Sequence, residues 1–159
     1  MPDNFEVSFN SPQCGWMSIG FRDGEREFHT TTAHAPHEHA LPQLMEVLAD
    51  LLNRDKPAFT HILKWNRDPE EFDFIFHKAG NRAKLEIIQY PTDERHTAEK
   101  ESVFFYEGEI GEIARAFHET FFQLHADRQT DEFESNWRQP FPEVEFQAFE
   151  NALKSAPAV

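Results

Sequence analysis

Between Cys14 and Thr32 the chain alternates apolar and polar residues on both sides of Asp23-Gly24, and this pairing of pattern and turn narrows the fold more than any other stretch. Asp-Gly suits a two-residue hairpin turn, because glycine takes positive φ without steric cost and the mirror-image turn follows the twist of its strands. A turn at that dipeptide pairs Arg22 with Glu25, Ile19 with Phe28 and Met17 with Thr30. Met17, Ile19, Phe21 and Phe28 then share an inner face, and Ser18, Gly20, Glu27 and His29 an outer one. Gly15 reads as a bulge that turns Trp16 into the core, with Cys14 as a buried structural thiol.

The same period of two recurs along the chain. Phe5, Val7 and Phe9 alternate with Glu6 and Ser8 before Ser11-Pro12 breaks the strand. Phe59, His61, Leu63 and Trp65 form one face of a second series, followed by Phe72, Phe74 and Phe76 and then Leu85 and Ile87. Arg67-Asp68-Pro69-Glu70 and Ala79-Gly80-Asn81 are the turns between these strands. Tyr90 to Lys100 carries no pattern and reads as a loop, and Ser102 to Tyr106 as one more strand. The period changes to that of a helix at Leu41, Leu44, Met45, Leu48, Leu51 and Leu52, with Pro42 in the first turn, where its missing N–H costs nothing. A second helix is expected over Glu109 to Asp127, with Ile110, Ile113, Phe117, Phe121 and Leu124 on one stripe. Arg128 to Gln139 reads as a polar connection, and a short last helix shows Phe146, Phe149 and Leu153 on one face. The order β-β-β-α-β-β-β-β-α-α predicts an α+β fold. The expected form is a single antiparallel sheet of about six to seven strands with three helices packed mainly on one face. At 159 residues this is one domain, expected over residues 1–154, with a frayed tail over 155–159.

Charge sorts the partners. The chain carries 29 Asp and Glu against 15 Lys and Arg, a formal charge of −14, which opposes nucleic acid at long range and favours a basic protein. One cysteine excludes an intramolecular disulfide, the sequence MPDNFEVSFN has neither the basic nor the apolar region of a secretory leader, and no apolar run reaches membrane-spanning length. A cytoplasmic location is therefore expected.

Two constellations could carry function. Asp131, Glu132 and Glu134 beside Trp137 suit a patch that holds a basic partner, an aromatic anchor ringed by carboxylates. His34, His37 and His39 could supply three imidazoles to zinc, although the spacing His-x-x-His-x-His is diagnostic of no metal fold. Glu70 and Glu71, adjacent beside a turn, lack the separation of a general acid/base pair. Phosphate-binding glycine loops, nucleophile elbows and Cys-x-x-Cys pairs do not occur in the sequence.

Ser11-Pro12-Gln13-Cys14-Gly15-Trp16-Met17 at the opening of a strand, the Leu-rich helix from Leu41, and Trp65 ahead of Asp68-Pro69 and an aromatic strand give the first 90 or so residues a likeness. In these features the chain resembles small acidic bacterial proteins of uncharacterised or toxin-immunity type. The shared motifs are structural and transfer no catalytic residue. The leading expectation is a non-enzymatic acidic binding protein that engages a basic partner protein, and the resemblance, taken with the charge, implies an immunity-type inhibitor as one form of it. The alternatives are a zinc-binding protein or metal-dependent enzyme built on His34, His37 and His39, and a small-ligand carrier whose Phe-rich sheet face is incompletely filled.

Overall fold

The computed structural model describes residues 5–24 and 26–156. Within them the alternating segments form β1 (Phe5–Phe9), β2 (Trp16–Asp23), β3 (Arg26–Ala33), β4 (Ala58–Asn66), β5 (Glu71–Ala79), β6 (Arg82–Tyr90) and β7 (Glu101–Glu109). The helical segments are α1 (Ala40–Leu52), α2 (Ile110–Asp127), α3 (Phe133–Trp137) and α4 (Glu143–Ser155), with a 3-10 turn at Thr97–Glu99. None of these helices is long and apolar enough to cross a membrane.

The fold is α+β, but the strands do not join into the single sheet expected. They form two antiparallel sheets, ordered β1-β2-β3 and β4-β5-β6-β7, accompanied by four helices. Alternation states which residues face inward; it does not state which strands are neighbours. The ladder of β3 ends at Ala33, and the bend through Pro36 followed by α1 carries the chain away before β4 starts. The two sheets meet through side chains instead. Phe21 packs edge-on against Phe74 at 5.7 Å and tilted against Phe104 at 5.7 Å, and Phe28 meets Phe72 at 6.0 Å. The Trp65 indole donates to the Ala33 carbonyl at 3.1 Å.

The hairpin register also differs from the expected one. Asp23 pairs with Arg26, Arg22 with Glu27, Ile19 with Thr30 and Met17 with Thr32, so the turn lies one residue further along than Asp23-Gly24. Moving a turn by one residue changes every partner by two positions, which preserves the faces. Met17, Ile19 and Phe21 are accordingly buried, with Phe28 opposite Phe21, while Ser18 and Glu27 are exposed. Glu25 lies outside the described residues, as do Met1–Asn4 and the last three residues of the expected tail. Ser155, expected to be frayed, ends α4.

One face of the larger sheet, carrying Leu63, Trp65, Phe72, Phe74, Phe76, Leu85 and Ile87, is closed from water by the smaller sheet together with α1 and α2. Removing this much apolar area from water is the dominant stabilising term in the fold. Helix α2 also lies along β1, the edge strand of the smaller sheet. The Thr120 hydroxyl accepts from the Phe9 N–H at 2.7 Å and donates to the Phe9 carbonyl at 3.3 Å, occupying groups that would otherwise be open to another chain. The stretch expected as a polar connection contains helix α3, whose Phe133 and Trp137, four residues apart, are both buried.

Candidate functional site

Charged side chains on a strand's outward face are normally solvated, yet Glu71 and Asp73 on β5 are 2% and 8% exposed. Their cross-strand partners on β6 are Tyr90 and Ile88, and the Pro91–Lys100 connection folds back over Glu71, Asp73 and Tyr90. The contact that fixes it is Arg95. Its guanidinium donates to Glu71 Oε1 from Nε at 3.1 Å and from Nη2 at 2.7 Å, to Asp73 Oδ1 from Nη1, and to the Phe72 carbonyl at 3.2 Å. It also sits 5.1 Å from the Tyr90 ring centroid. Tyr90 O–H donates to Asp73 Oδ2 at 3.1 Å, Asn66 Nδ2 donates to Glu71 Oε2, and His37 Nε2 donates to Glu71 Oε1 at 2.9 Å.

Burial alone would push the Glu71 carboxyl up, but the hydrogen bonds from His37, Asn66 and Arg95 outweigh it and hold the group below the ordinary carboxylate range. Burial would likewise weaken the charge on Arg95, and its bonds to Glu71 and Asp73 reverse the effect, raising its pKa. Burial and the neighbouring Asp73 carboxylate push the Tyr90 hydroxyl up. The two carboxylates accept from four other residues, so the arrangement clamps the loop.

Beside this clamp opens a groove of about 650 Å³. Cys14 and Trp16 enter from the start of β2, His34 and Pro36 from the segment after β3, Asp68 and Pro69 from the β4–β5 turn, Asp93 from the clamped loop, and Arg138 from the end of α3. Three of these residues hold left-handed backbone without being glycine: Cys14 at φ 53°, Asp68 at 61° and Arg138 at 70°. Such conformations cost free energy and persist where surrounding bonds determine them. Here Gly15 N–H donates to the Asn136 carbonyl at 2.6 Å, His34 N–H to the Gly15 carbonyl at 3.0 Å, and Gln139 Nε2 to the His34 carbonyl at 2.8 Å. The peptides before Pro36 and Pro69 are cis.

The expected site residues divide. Asp131, Glu132 and Glu134 are exposed, and Asp131 accepts from Ser11 Oγ at 2.6 Å, which ties the acidic run to the segment leading into β2. Trp137, expected as their exposed aromatic, is 3% exposed and packs edge-on against Trp65 at 6.4 Å. Trp16, expected inside, is 38% exposed and is the tryptophan at the surface; Cys14 is exposed as well. The left-handed pair Cys14-Gly15, with Gly15 at φ 84°, turns both side chains toward the groove instead of the core.

The three histidines do not converge. His34 Nδ1 donates to the Gly15 carbonyl at 3.1 Å, His37 bonds Glu71, and His39 stands exposed, 3.9 Å from Glu38. Among the described residues no group of three or more His, Cys, Asp or Glu side chains has the arrangement needed to hold a metal ion. Nothing in the alternation of β5 announced the clamp. The apolar outward positions Ile88 and Tyr90, which require a cover, were its one trace in the sequence. Comparison with known proteins finds no matching family model, no matching curated protein and no matching solved structure.

Proposed function

We propose that the protein is a non-enzymatic binding protein that engages a basic partner protein at the Trp16 groove, acting as an inhibitor of immunity type. The observation that supports this reading is the position of Trp16. The exposed indole shares a groove with the carboxylates of Asp68 and Asp93, and the Ser11–Asp131 bond brings the acidic run of Asp131, Glu132 and Glu134 to the neighbouring chain segment. An aromatic face bordered by carboxylates receives a lysine or arginine side chain by stacking and ion pairing together, and interface energy concentrates on such aromatic anchors. Arg138 is the groove's one Lys or Arg, so a cationic visitor meets net negative charge there as well as over the whole surface. The clamp at Arg95 holds Asp93 and its loop in place, which reduces the ordering cost of binding.

Calorimetric titration with a hexa-arginine peptide tests the reading, with hexaglutamate as the control. Binding should weaken at least about tenfold between roughly 0.05 and 0.3 M salt. Trp16→Ala, and separately Asp68→Asn with Asp93→Asn, should each weaken it by a similar factor. Equal binding of the two peptides, or affinity unchanged by these substitutions, overturns it.

A further inference from the structure

At the opposite end of the larger sheet a second cavity, of about 420 Å³, lies where the C-terminal end of α1, the β5–β6 turn, the first turn of α2 and the last turn of α4 converge. Its walls have two characters. Leu51, Leu52, Ile110 and Leu153 supply apolar surface, and Lys78, Arg54 and Arg115 supply three cations against the single carboxylate of Glu109. In a chain with nearly twice as many Asp and Glu as Lys and Arg, a random stretch of surface would show the reverse balance.

The cations lack counter-ions. Among the described residues neither Arg54 nor Arg115 is in an ion pair, so no carboxylate neutralises either of them at close range. Lys78 is 3% exposed, and its ammonium bonds only neutral groups, the Asp50 carbonyl at 3.3 Å and the Asn53 carbonyl at 2.8 Å. The carboxylate of Asp50 is taken by Lys56 at 3.0 Å. An ammonium has three protons to donate, so one remains after those two bonds. A buried charge without an opposite charge in bonding reach is costly, and burial correspondingly pushes the Lys78 pKa down despite the attraction of Asp50. An anion entering the cavity would relieve this imbalance. Arg115 folds back over Gly111 at the amino-terminal end of α2, where a Cβ would lie 3.1 Å from its Nη1.

We propose that this cavity is a binding site for a small amphipathic organic anion, a carboxylate or phosphate head carried on a short apolar body. The head sits among Arg54, Lys78 and Arg115, and the body lies along Leu51, Leu52, Ile110 and Leu153. The volume falls within the ordinary range of small-molecule sites. This site is separate from the Trp16 groove and shares no lining residue with it, so each stands or falls alone.

Calorimetric titration with octanoate and with octyl phosphate tests the proposal, with octanol and inorganic phosphate as controls that carry one half of the chemistry each. The expected result is one molecule of octanoate or octyl phosphate per chain, with the difference between them reporting which head is preferred. Both controls should bind at least about tenfold more weakly, and Arg54→Gln with Arg115→Gln should cost about tenfold or more. Both arginines are exposed, so the double variant keeps the fold, and unchanged far-ultraviolet circular dichroism verifies it. Leu153→Glu provides a second variant that places a carboxylate on the apolar wall. Shifts of the Gly80 and Gly111 amide resonances on adding octanoate locate the ligand. Absence of binding by both amphiphiles up to about 5 mM, equal binding of octanol, or affinity unchanged in the arginine variant overturns the proposal.

Discussion

Replacing Arg95 with methionine keeps an unbranched stem over Tyr90 and removes the charge that two buried carboxylates face. The side chains of Glu71, Asp73 and Arg95 are 3%, 12% and 18% exposed, so solvent compensates little for the loss. Breaking a buried pair by deleting one partner costs about 3–5 kcal/mol. Glu71 keeps its bonds from His37 and Asn66, and Asp73 keeps Tyr90, which places Arg95→Met near the low end, about 3 kcal/mol. For a chain of this length that is a fall in Tm of roughly 6–12 °C, with a lower urea midpoint at unchanged m.

The pH dependence gives the sharper test. The folded state depresses the Glu71 pKa, so its contribution is fully present above the ordinary glutamate value of about 4.3 and disappears as pH falls through the lower folded value. The gap between wild type and Arg95→Met should therefore be widest near neutral pH and shrink in acid, where a protonated Glu71 no longer requires the guanidinium. Urea titrations at several pH values measure it. A loss below about 1 kcal/mol at neutral pH, the size of a surface ion pair, would refute the clamp, and so would a loss that stays constant into acid.

Two substitutions test the packing of the rest. Phe74→Ala should cost about 3–5 kcal/mol, because its fully buried ring meets Phe21 of the smaller sheet at 5.7 Å and Trp65 of its own at 5.9 Å; a urea-measured loss below about 2 kcal/mol would contradict sheet-on-sheet packing. Gly15→Ala should cost at least about 1 kcal/mol more than Gly80→Ala. Both glycines have positive φ, but a Cβ at Gly15 would lie 2.7 Å from His34 Nδ1 while one at Gly80 meets open space, so equal costs would show that the close approach at Gly15 carries no energy.

Local pattern carried the elements well, since the ends of β1, the Leu stripe of α1 and the span of α2 all follow from periodicity that a buried face imposes. It carried α3 poorly, because in a five-residue helix the pair Phe133 and Trp137 is the whole apolar signal and lies among five polar or charged neighbours. The division into two sheets depends on which strands touch, which alternation does not encode. Trp16 and Trp137 exchanged their expected positions for a related reason. Exposure of a tryptophan near a turn is decided by the backbone of its neighbours, here the left-handed Cys14-Gly15 pair and the short helix that draws Trp137 onto Trp65. The clamp was out of reach, since Arg95 lies 24 residues beyond Glu71 and 22 beyond Asp73, in a stretch without periodicity.

The aromatic seam between the sheets also governs the order in which the chain can mature. Phe5 stacks on Tyr106 at 4.4 Å, and Phe21 rests on Phe74 and Phe104, so the amino-terminal meander finds its cover only in sequence that emerges from the ribosome much later. Until then its apolar side is bare, and closure of such distant contacts is slow. Joining Phe21 to partners at Phe74 and Phe104 is what closes the core, and contacts so far apart in sequence make that closure the slow part of folding.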